Sequence, residues 1–470
     1  MIRVLSQYVS PKSLLLIFVE AAFVSLGLLC GARLRFWASP AEFRSYVQAP
    51  EFALQAVTFV MTLQVCFLYF HLYDLNITRR RQDHLIGVCQ SLGAASLLLG
   101  ILYFVCPWLL IGRGVFFISV VVAASLVVPA RVALDRAWHV AAPRQNILIL
   151  GTEELAITAM SELMRRRDLN LALVGFLEAT SEPPATPNTI LCGYPVLGSM
   201  EQLGAVVEKY QISRIVIAME NRRGALPVWE LVKLKVQGVN VEDAHSIVAA
   251  LSGRIWLDMV HPSWFVFTGG FRRSRLTLLL KRIIDLVFGL VGLTLSSPVM
   301  LLIAIAIRLE SSGPVIYRQT RIGLKGKPFE LMKFRSMRAD AEGHGGAQWA
   351  QRDDPRVTRI GSYLRKYRLD ELPQFVNILR GDMSFVGPRP ERPVFVERLR
   401  EVISYYDERH SVRPGLTGWA QVQYSYGASV KDTCRKLEYD LFYLKSMSVL
   451  FDVVIIFKTI RTILTGAGAR

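Results

Sequence analysis

Five long apolar segments constrain this chain more than any other feature of its sequence. Four lie in the first third, and each approaches the roughly 20 residues that a membrane-spanning helix requires. They cover residues 14–30, 52–72, 85–110 and 115–128, and the fifth covers residues 283–307. Together with a mean hydropathy of +0.33 and a net charge of +17, they predict a multi-pass membrane protein and argue against a nucleic-acid-binding protein.

Basic residues predict the orientation of the first four segments, because Lys and Arg concentrate in cytoplasmic loops. Three arginines follow the second segment and three more follow the fourth: Arg79, Arg80, Arg81, Arg131, Arg136 and Arg144. Three others, in the loop that this orientation places outside, oppose it: Arg33, Arg35 and Arg44. The balance predicts that both ends of the four-helix bundle face the cytoplasm of a bacterium.

A different pattern starts at Asn146, where "NILILGTEELA" reads as an apolar strand, a glycine and a helix. Later runs, "LALVGFLE" and "RIVIAME", read as further strands, so the region predicts a Rossmann-like domain. The dinucleotide fingerprint GxGxxG is reduced to Gly151, and Glu153 and Glu154 would repel a pyrophosphate. Two alternatives follow: a structural or regulatory domain, and a working nucleotide site.

The fifth apolar segment has two unusual features for a spanning helix. Pro298 lies inside it, where a missing N–H breaks or kinks a helix, and Asp285 is its only charged residue. Both flanks are strongly basic, which predicts that the segment enters and leaves on the same membrane face. A re-entrant helix-break-helix is the preferred interpretation, and a kinked spanning helix is the alternative.

The part of the chain after this segment is rich in positive charge. Residues 318–368 contain thirteen Lys and Arg against five Asp and Glu, part of which suits anionic lipid headgroups. Three clusters suggest phosphate contacts. Lys333 and Arg335 alternate on a predicted strand face, Arg389 lies in "GPRPE", and Arg413 precedes Pro-Gly in "RPGLTGW".

Against this background "RLDELPQ" carries two adjacent carboxylates, Asp370 and Glu371. Pro373 suits a first helical turn, and Gly381 supplies a stop, so the pair lies near a helix N-terminus. Complementing the helix dipole is the simplest explanation of one such carboxylate. Neighbouring helical residues point about 100° apart, so the two side chains more readily divide two tasks, one toward phosphorus and one toward a metal ion or a proton.

Residues 276–465 resemble the bacterial sugar transferases, which are monotopic polyprenyl-phosphate phosphoglycosyl transferases. The resemblance lies in "SSPVMLLIAIAIRLESSGPVIYRQTRIGLKGKPFELMKFRSM", "LRKYRLDELPQFVNILRGDMSFVGPRPE", "RPGLTGWAQV" and "YDLFYLKSMSVLFDVVIIFKTI". The amino-terminal layout is similar to the large members that initiate exopolysaccharide synthesis. The "GAGAR" end looks like that of the exosortase-associated (PEP-CTERM) branch.

The resemblance implies a membrane α plus α/β fold in four parts. Residues 1–140 would form the four-helix transmembrane bundle and 145–265 the Rossmann-like cytoplasmic domain. Residues 276–310 would form the re-entrant membrane helix, with Ser297 and Pro298 at its break. Residues 311–470 would form a mainly helical α/β phosphoglycosyl transferase domain on the cytoplasmic face.

The implied reaction transfers a sugar 1-phosphate from a UDP-sugar to undecaprenyl phosphate and releases UMP, with Mg²⁺ as cofactor. Glucose is the expected sugar and galactose the next. By resemblance Asp370 is the nucleophile and forms a covalent phospho-sugar intermediate, with Glu371 as its partner. Asp440 would join this pair as a metal ligand, and Arg365 and Arg389 would contact the donor, as would Lys333, Arg335 and Arg413 from their clusters.

Two other function classes compete with the enzyme. A membrane-anchored regulator would sense a nucleotide through the Rossmann-like domain. A transporter is disfavoured, because Glu20 and Asp74 are the only carboxylates of the first four segments and lie near segment edges. No nucleic-acid partner is expected, and homodimer formation is left open.

Overall fold

The computed structural model describes two compact units, Met1–Ile247 and Val248–Arg470. The described residues are 2–4, 7–9, 11–69, 72, 81–141, 145–165, 170–178, 190–219, 225–259, 262–271, 273–338, 355–424 and 429–464. Several residues used in the predictions lie outside them, namely Asp74, Arg79, Arg80, Arg144 and 466–470. The four predicted domain ranges stay predictions.

Helices fill the beginning of the first unit where the sequence predicts them. A short hairpin of β1 (Ile2–Val4) and β2 (Gln7–Val9) precedes them. The helices are α1 (Pro11–Arg35), α2 (Pro40–Gln48), α3 (Phe52–Tyr69), α4 (Arg81–Val105) and α5 (Arg113–Ala141). Among the described residues, α1, α4 and α5 are each long and apolar enough to cross a membrane. The pair α2 and α3, bent by 80°, would count as one more span. The four apolar segments are therefore helical, and a four-span bundle stays a prediction.

A buried ion pair joins α1 to α5. Glu20 is fully buried, and Arg131 donates from Nη2 to its Oε2 at 2.8 Å and from Nη1 to the Leu72 carbonyl at 3.3 Å. Buried charges persist in apolar surroundings when they are paired. The pairing accounts for Glu20 as part of the helix packing, which agrees with the argument against a transporter.

A six-stranded sheet follows the helices. Its order is β5–β6–β4–β3–β7–β8, for β3 (Gln145–Leu150), β4 (Leu171–Glu178), β5 (Ile190–Leu191), β6 (Tyr194–Ser199), β7 (Arg214–Ile217) and β8 (Asn240–Asp243). Neighbouring strands are parallel, except for the antiparallel pair β5 and β6. Three helices connect them, α6 (Glu154–Arg165), α7 (Leu203–Lys209) and α8 (Val228–Val236). The three predicted strands are present in this Rossmann-like order.

Gly151, the remnant of the fingerprint, has a purely local reason to be glycine. Its φ of +110° lies in the region that other residues rarely adopt, and a Cβ there would lie 2.5 Å from the Ala218 carbonyl oxygen. The turn after β3 therefore requires glycine whether or not a nucleotide binds. Glu154 begins α6 at this same turn.

The second unit contains one very long helix, α11. The chain reaches it through α9 (Ala244–Ser252) and α10 (Pro262–Phe267), and α11 itself extends over 36 residues, Arg275–Glu310. Ser274 caps its start, because the hydroxyl accepts from the Thr277 N–H. Most of its apolar side chains are exposed, as expected for a helix that lies in lipid.

Helical residues continue through Ser297 and Pro298, and the predicted break at this pair stays a prediction. Proline has no N–H to donate to the carbonyl four residues earlier, that of Thr294. The hydroxyl of Ser297 donates to this carbonyl at 2.8 Å. The serine thus replaces the hydrogen bond that the proline removes, so helical residues can continue through the Ser-Pro pair. Re-entry of the helix into one membrane face stays a prediction.

The rest of the second unit is mainly helical. Its strands form an antiparallel hairpin, β9 (Ile316–Ile322) with β10 (Pro328–Phe334), and a short parallel pair, β11 (Ser384–Val386) with β12 (Gly415–Thr417). Its helices are α12 (Arg359–Lys366), α13 (Gln374–Arg380), α14 (Pro393–Val402), α15 (Trp419–Gln423), α16 (Val430–Ser446) and α17 (Val449–Leu464).

Charged residues inside α11 attach it to this helical body. The carboxylate of Asp285 accepts from the Ser384 hydroxyl at 2.9 Å and from the Phe385 N–H at 2.8 Å. One turn earlier, Lys281 donates to Asp452 of α17 at 2.6 Å. The only charge of the fifth apolar segment is therefore buried against β11 rather than exposed to lipid.

Candidate active site

The two carboxylates of "RLDELPQ" lie in a single 3₁₀ turn, Leu369–Glu371, between α12 and α13. Arg368 enters the turn with a φ of +55°, and Pro373 directly precedes the first residue of α13. Gly381 ends α13 with a φ of +92°. The predicted position of the pair just before a helix is confirmed, and the tight turn directs the neighbouring side chains to different partners.

Both side chains are buried, but their partners differ. Asp370 and Glu371 are 7% and 8% exposed. Glu371 accepts at Oε1 from Arg389 at 2.8 Å and from Lys333 at 3.4 Å. Asp370 makes no hydrogen bond or ion pair with any residue that the structure describes. The turn therefore contains one carboxylate held by two cations and one that is free to meet a substrate.

Electrostatics separate the two carboxylates further. Burial and the adjacent Glu371 raise the pKa of Asp370, and Lys333, Arg365 and Arg389 only partly oppose that rise. Burial also raises the pKa of Glu371, but Arg389, Lys333 and Arg368 together outweigh it and hold that pKa below its usual range. Glu371 is therefore the firmly ionised partner, and Asp370 is the carboxylate whose protonation state is easier to change.

The cations around the pair come from three elements. Lys333 lies near the end of β10, Arg365 lies in the last turn of α12, and Arg389 lies in the loop after β11. Arg389 also donates to the Gln421 amide oxygen at 3.3 Å. Of the five basic residues predicted for this site, the structure therefore gathers these three around Asp370 and Glu371.

Arg335 is directed elsewhere and lies just after β10, which ends at Phe334. It is 6% exposed, and it donates to the carbonyls of Ser312 at 2.6 Å and Ser311 at 2.8 Å and to the Ser311 hydroxyl at 2.9 Å. These partners directly follow α11. The predicted strand ends one residue before Arg335, and its guanidinium binds the end of α11.

Arg413 also has a backbone partner in the structure. Its Nε donates to the Gly381 carbonyl at 2.9 Å, at the end of α13. This contact suits a cation at a helix C-terminus. The structure therefore shows Arg413 at the end of α13, and a phosphate contact for it stays a prediction.

Asp440, the predicted third metal ligand, is bound to an arginine. It is 2% exposed, and Arg409 donates to its Oδ2 at 2.8 Å. Within the described residues, no three His, Cys, Asp or Glu side chains form a group that could hold a metal ion. The predicted three-carboxylate set of Asp370, Glu371 and Asp440 is therefore not assembled, because the low dielectric around Asp440 favours a fixed cationic partner.

Two parts of the chain match known protein families. Residues 276–466 match the family described as "Bacterial sugar transferase", and residues 69–242 match "CoA-binding domain". A UDP-glucose:undecaprenyl-phosphate glucose-1-phosphate transferase of Caulobacter vibrioides is 43% identical over 191 residues, which is 40% of this chain and 71% of that protein. The chain belongs to the bacterial sugar transferase family.

Two further relatives in this family extend the comparison. A UDP-N-acetylgalactosamine-undecaprenyl-phosphate N-acetylgalactosaminephosphotransferase of Aeromonas hydrophila is 46% identical over 52% of this chain. A UDP-glucose:undecaprenyl-phosphate glucose-1-phosphate transferase of Xanthomonas campestris pv. campestris is 28% identical over 97% of this chain and 94% of that protein. The chain spans 57% of the length of the Aeromonas protein, and 39% and 36% of two others.

Arg409 is the site residue that sequence reasoning missed. Besides Asp440, it donates to the Tyr406 hydroxyl at 2.8 Å and to the Arg389 carbonyl at 3.0 Å. A continuous chain of contacts therefore links Asp440, through Arg409, to the backbone of the arginine that holds Glu371. Nothing in "DERHSVRPG" separates a buried arginine from an exposed one, so only the fold reveals this link.

The loop that carries Arg389 is fixed by backbone contact as well. Gly387 donates to the Thr417 carbonyl at 2.8 Å, and Gly415 donates to the Pro388 carbonyl at 2.9 Å. A Cβ on Gly387 would collide with the Arg413 carbonyl oxygen. The glycines of "GPRP" and "RPGLTG" thus allow two loops to approach closely, and this approach places Arg389 beside Glu371.

Proposed function

We propose that this protein transfers a sugar 1-phosphate from a UDP-sugar to undecaprenyl phosphate, releases UMP and initiates exopolysaccharide synthesis. One observation carries the proposal: a buried Asp370, without an ion pair to the residues that the structure describes, lies beside a Glu371 that is held by two cations. Carboxylates are established phosphoryl acceptors, and the cations can neutralise phosphate charge. The names of the relatives support the same reaction.

In the first step, an Asp370 oxygen attacks the phosphorus that bears the sugar. The bond from this phosphorus to the bridging oxygen breaks, and UMP leaves with that oxygen. In the second step, a phosphate oxygen of the lipid attacks the same phosphorus, and the bond to Asp370 breaks. The products are the lipid diphosphate sugar and a regenerated carboxylate, so each step forms one bond and breaks one.

The other side chains prepare the site for this attack. Glu371 fixes Lys333 and Arg389 where phosphate oxygens arrive, which avoids a reorganisation cost during the reaction. Arg365 adds positive charge that favours the ionised form of Asp370. The nucleophile therefore works near a cluster of fixed cations, without an ion pair that would have to break first.

The residues present suit Mg²⁺ as the cofactor. This hard cation is usually bound by one or two carboxylates together with substrate phosphates. Asp370 has no described partner, and both ion pairs of Glu371 use Oε1, so these two residues would hold it without Asp440. When bound, Mg²⁺ would neutralise the diphosphate charge and orient the leaving group.

The position of α11 supports re-entry of this helix into the cytoplasmic face of the inner membrane. Near its start, Arg282 donates to the carbonyls of Ile378 and Leu379 at 2.7 and 2.8 Å. Near its end, Ile303 and Ile307 pack in a cluster with the buried Phe334 and Leu364. Both ends thus contact the body that carries the dyad, whereas a spanning helix would separate its ends by the membrane. The kinked spanning helix is the alternative.

The donor sugar is proposed to be glucose, because the relative aligned over 97% of this chain is named for UDP-glucose. The Aeromonas relative makes N-acetylgalactosamine the main competitor, and galactose remains the next expectation from the sequence. The test is UMP release from a panel of UDP-sugars with undecaprenyl phosphate and Mg²⁺. No UMP from any donor by the wild-type protein, or full activity of Asp370→Asn, would refute the proposal.

A second candidate function, nucleotide sensing, rests on the match of residues 69–242 to a CoA-binding domain. The acidic turn that follows β3 argues against a bound diphosphate there. Deletion of residues 146–247, which spares the whole second unit, separates the functions. Residual transferase activity favours the enzyme, and nucleotide binding by the full chain without any transferase activity favours the regulator.

A further inference from the structure

Helix α8 of the sheet domain exposes an apolar face that the transferase reaction does not use. Trp229 is 87% exposed and Val236 is 85% exposed, and Val228 and Val232 are also exposed. Only Leu231 and Leu234 of this helix are buried, against the sheet. A nine-residue helix that exposes a tryptophan and three valines to solvent is expected to be an interaction surface.

The lysines of α8 show what kind of surface it is. At about 100° per residue, the three valines and Trp229 occupy one continuous arc of the helix. Lys233 and Lys235 lie on the two opposite flanks of that arc and are both exposed. An apolar centre with tryptophan and flanking lysines is typical of helices that lie in a membrane interface. Protein interfaces, by contrast, are depleted in lysine.

The topology places the C-terminal end of this surface close to the apolar helices of the same unit. Only three residues separate the end of α5 at Ala141 from the start of β3 at Gln145, a distance of at most about 15 Å. Ile147 of β3 pairs with Arg214 of β7, which pairs with Asn240 of β8. Since α8 ends four residues before Asn240, its C-terminal end lies at the sheet edge where the chain arrives from α5.

We propose that the exposed face of α8 docks on the anionic headgroup and acyl boundary of the membrane in which the apolar helices lie. Trp229, Val232 and Val236 enter the interface, and Lys233 and Lys235 contact lipid phosphates. Such docking holds the sheet domain against the membrane surface. The proposal depends on the membrane placement of α5, and it does not depend on the chemistry assigned to Asp370.

The test is photo-cross-linking of the full chain in vesicles. Benzoylphenylalanine replaces Trp229, and a control chain carries it at Glu154, which is exposed at the start of α6. Vesicles contain phosphatidylcholine with or without phosphatidylglycerol. We expect cross-links from position 229 to lipid, at least about tenfold above those from position 154 and stronger with the anionic lipid.

Charge reversal of the two lysines of α8 provides an independent test. The double variant Lys233→Glu, Lys235→Glu should lower the lipid cross-links from position 229 by about tenfold in anionic vesicles and leave UMP release per molecule unchanged. Cross-links to a second copy of the chain, no cross-links, or equal labelling from positions 229 and 154 would each overturn the proposal. Absence of transferase activity in the wild-type protein would contradict the proposed reaction, and it would leave the proposal for α8 unaffected.

Discussion

Asp370 and Glu371 are neighbours in sequence with opposite electrostatic environments. Glu371 is ionised because Arg389 and Lys333 contact it directly, whereas Asp370 has only more distant charges to offset its burial. This asymmetry answers why two carboxylates are needed. In the proposed reaction, Glu371 would fix the cations that bind phosphate, and Asp370 would keep its oxygens available for attack.

The pH dependence of the reaction should report Asp370. Because its pKa is raised, activity that requires the carboxylate falls at a higher pH than it would for an ordinary aspartate. Arg365→Gln removes a charge that lowers this pKa, so the acid limb of kcat/KM should move to still higher pH. The measurement is UMP release between pH 4 and 9, with Arg359→Gln on the same helix as control. An acid limb that stays in place, or moves to lower pH, contradicts this role.

Asp440 should behave as a positioning residue and not as a metal ligand. Asp440→Asn weakens its contact with Arg409, which loosens the Arg389 loop, and displacement of a positioned group costs about 10- to 100-fold in kcat. The Mg²⁺ concentration for half-maximal activity should not change. Asp407→Asn is the matched control, because its ion pair with Arg400 is half exposed. A strongly increased Mg²⁺ requirement in Asp440→Asn would restore the metal role.

At the scale of one element, α11 shows how a serine can preserve a helix at a proline. The hydrogen bond from Ser297 to the Thr294 carbonyl should contribute about 1 kcal/mol to the free energy of unfolding. Ser297→Ala should cost that amount in the presence of Pro298. In a chain that carries Pro298→Ala, Ser297→Ala should change the free energy of unfolding little, because the alanine in place of the proline restores the backbone N–H donor.

A double-mutant cycle in detergent measures this coupling. It compares the free energies of unfolding of the two single variants, the double variant and the wild-type protein. Additive effects of the two substitutions would show that the hydroxyl does not compensate for the proline.

The same element shows what the sequence can and cannot predict. Hydropathy located the apolar helices, and short apolar runs located the strands of the sheet, because both signals are local in the sequence. The sequence does not show that helical residues continue through Pro298, because compensation by the neighbouring Ser297 hydroxyl depends on a side-chain rotamer. Arg335 and Asp440 were assigned to the site by composition and resemblance, whereas their real partners, Ser311 and Arg409, are set by tertiary contacts.

For the molecule as a whole, the second unit starts earlier than the family match at residue 276. The Trp419 indole donates to the Gly253 carbonyl at 2.7 Å, and Arg254 donates to Glu438 of α16 at 2.9 Å. Ile255 adds a backbone hydrogen bond to the Glu438 carbonyl at 3.0 Å. Residues before the membrane helix are therefore part of the folded body that carries the dyad.

Truncation tests this boundary. A chain of residues 248–470 should unfold at a temperature on the order of 5–10 °C higher than a chain of residues 276–470, because the shorter chain loses these three hydrogen bonds and their packing. Thermal unfolding of both chains in the same detergent is the measurement. Equal melting temperatures would show that the segment is only a linker.

The central claim is that Asp370 carries the phospho-sugar. The most direct measurement incubates the protein with a UDP-sugar labelled in its sugar, without lipid, and locates the label by peptide mass spectrometry. The account predicts a phospho-sugar on the peptide that contains Asp370, its release when undecaprenyl phosphate is added, and none on Asp370→Asn. Labelling of another residue, or full turnover by Asp370→Asn, would contradict it.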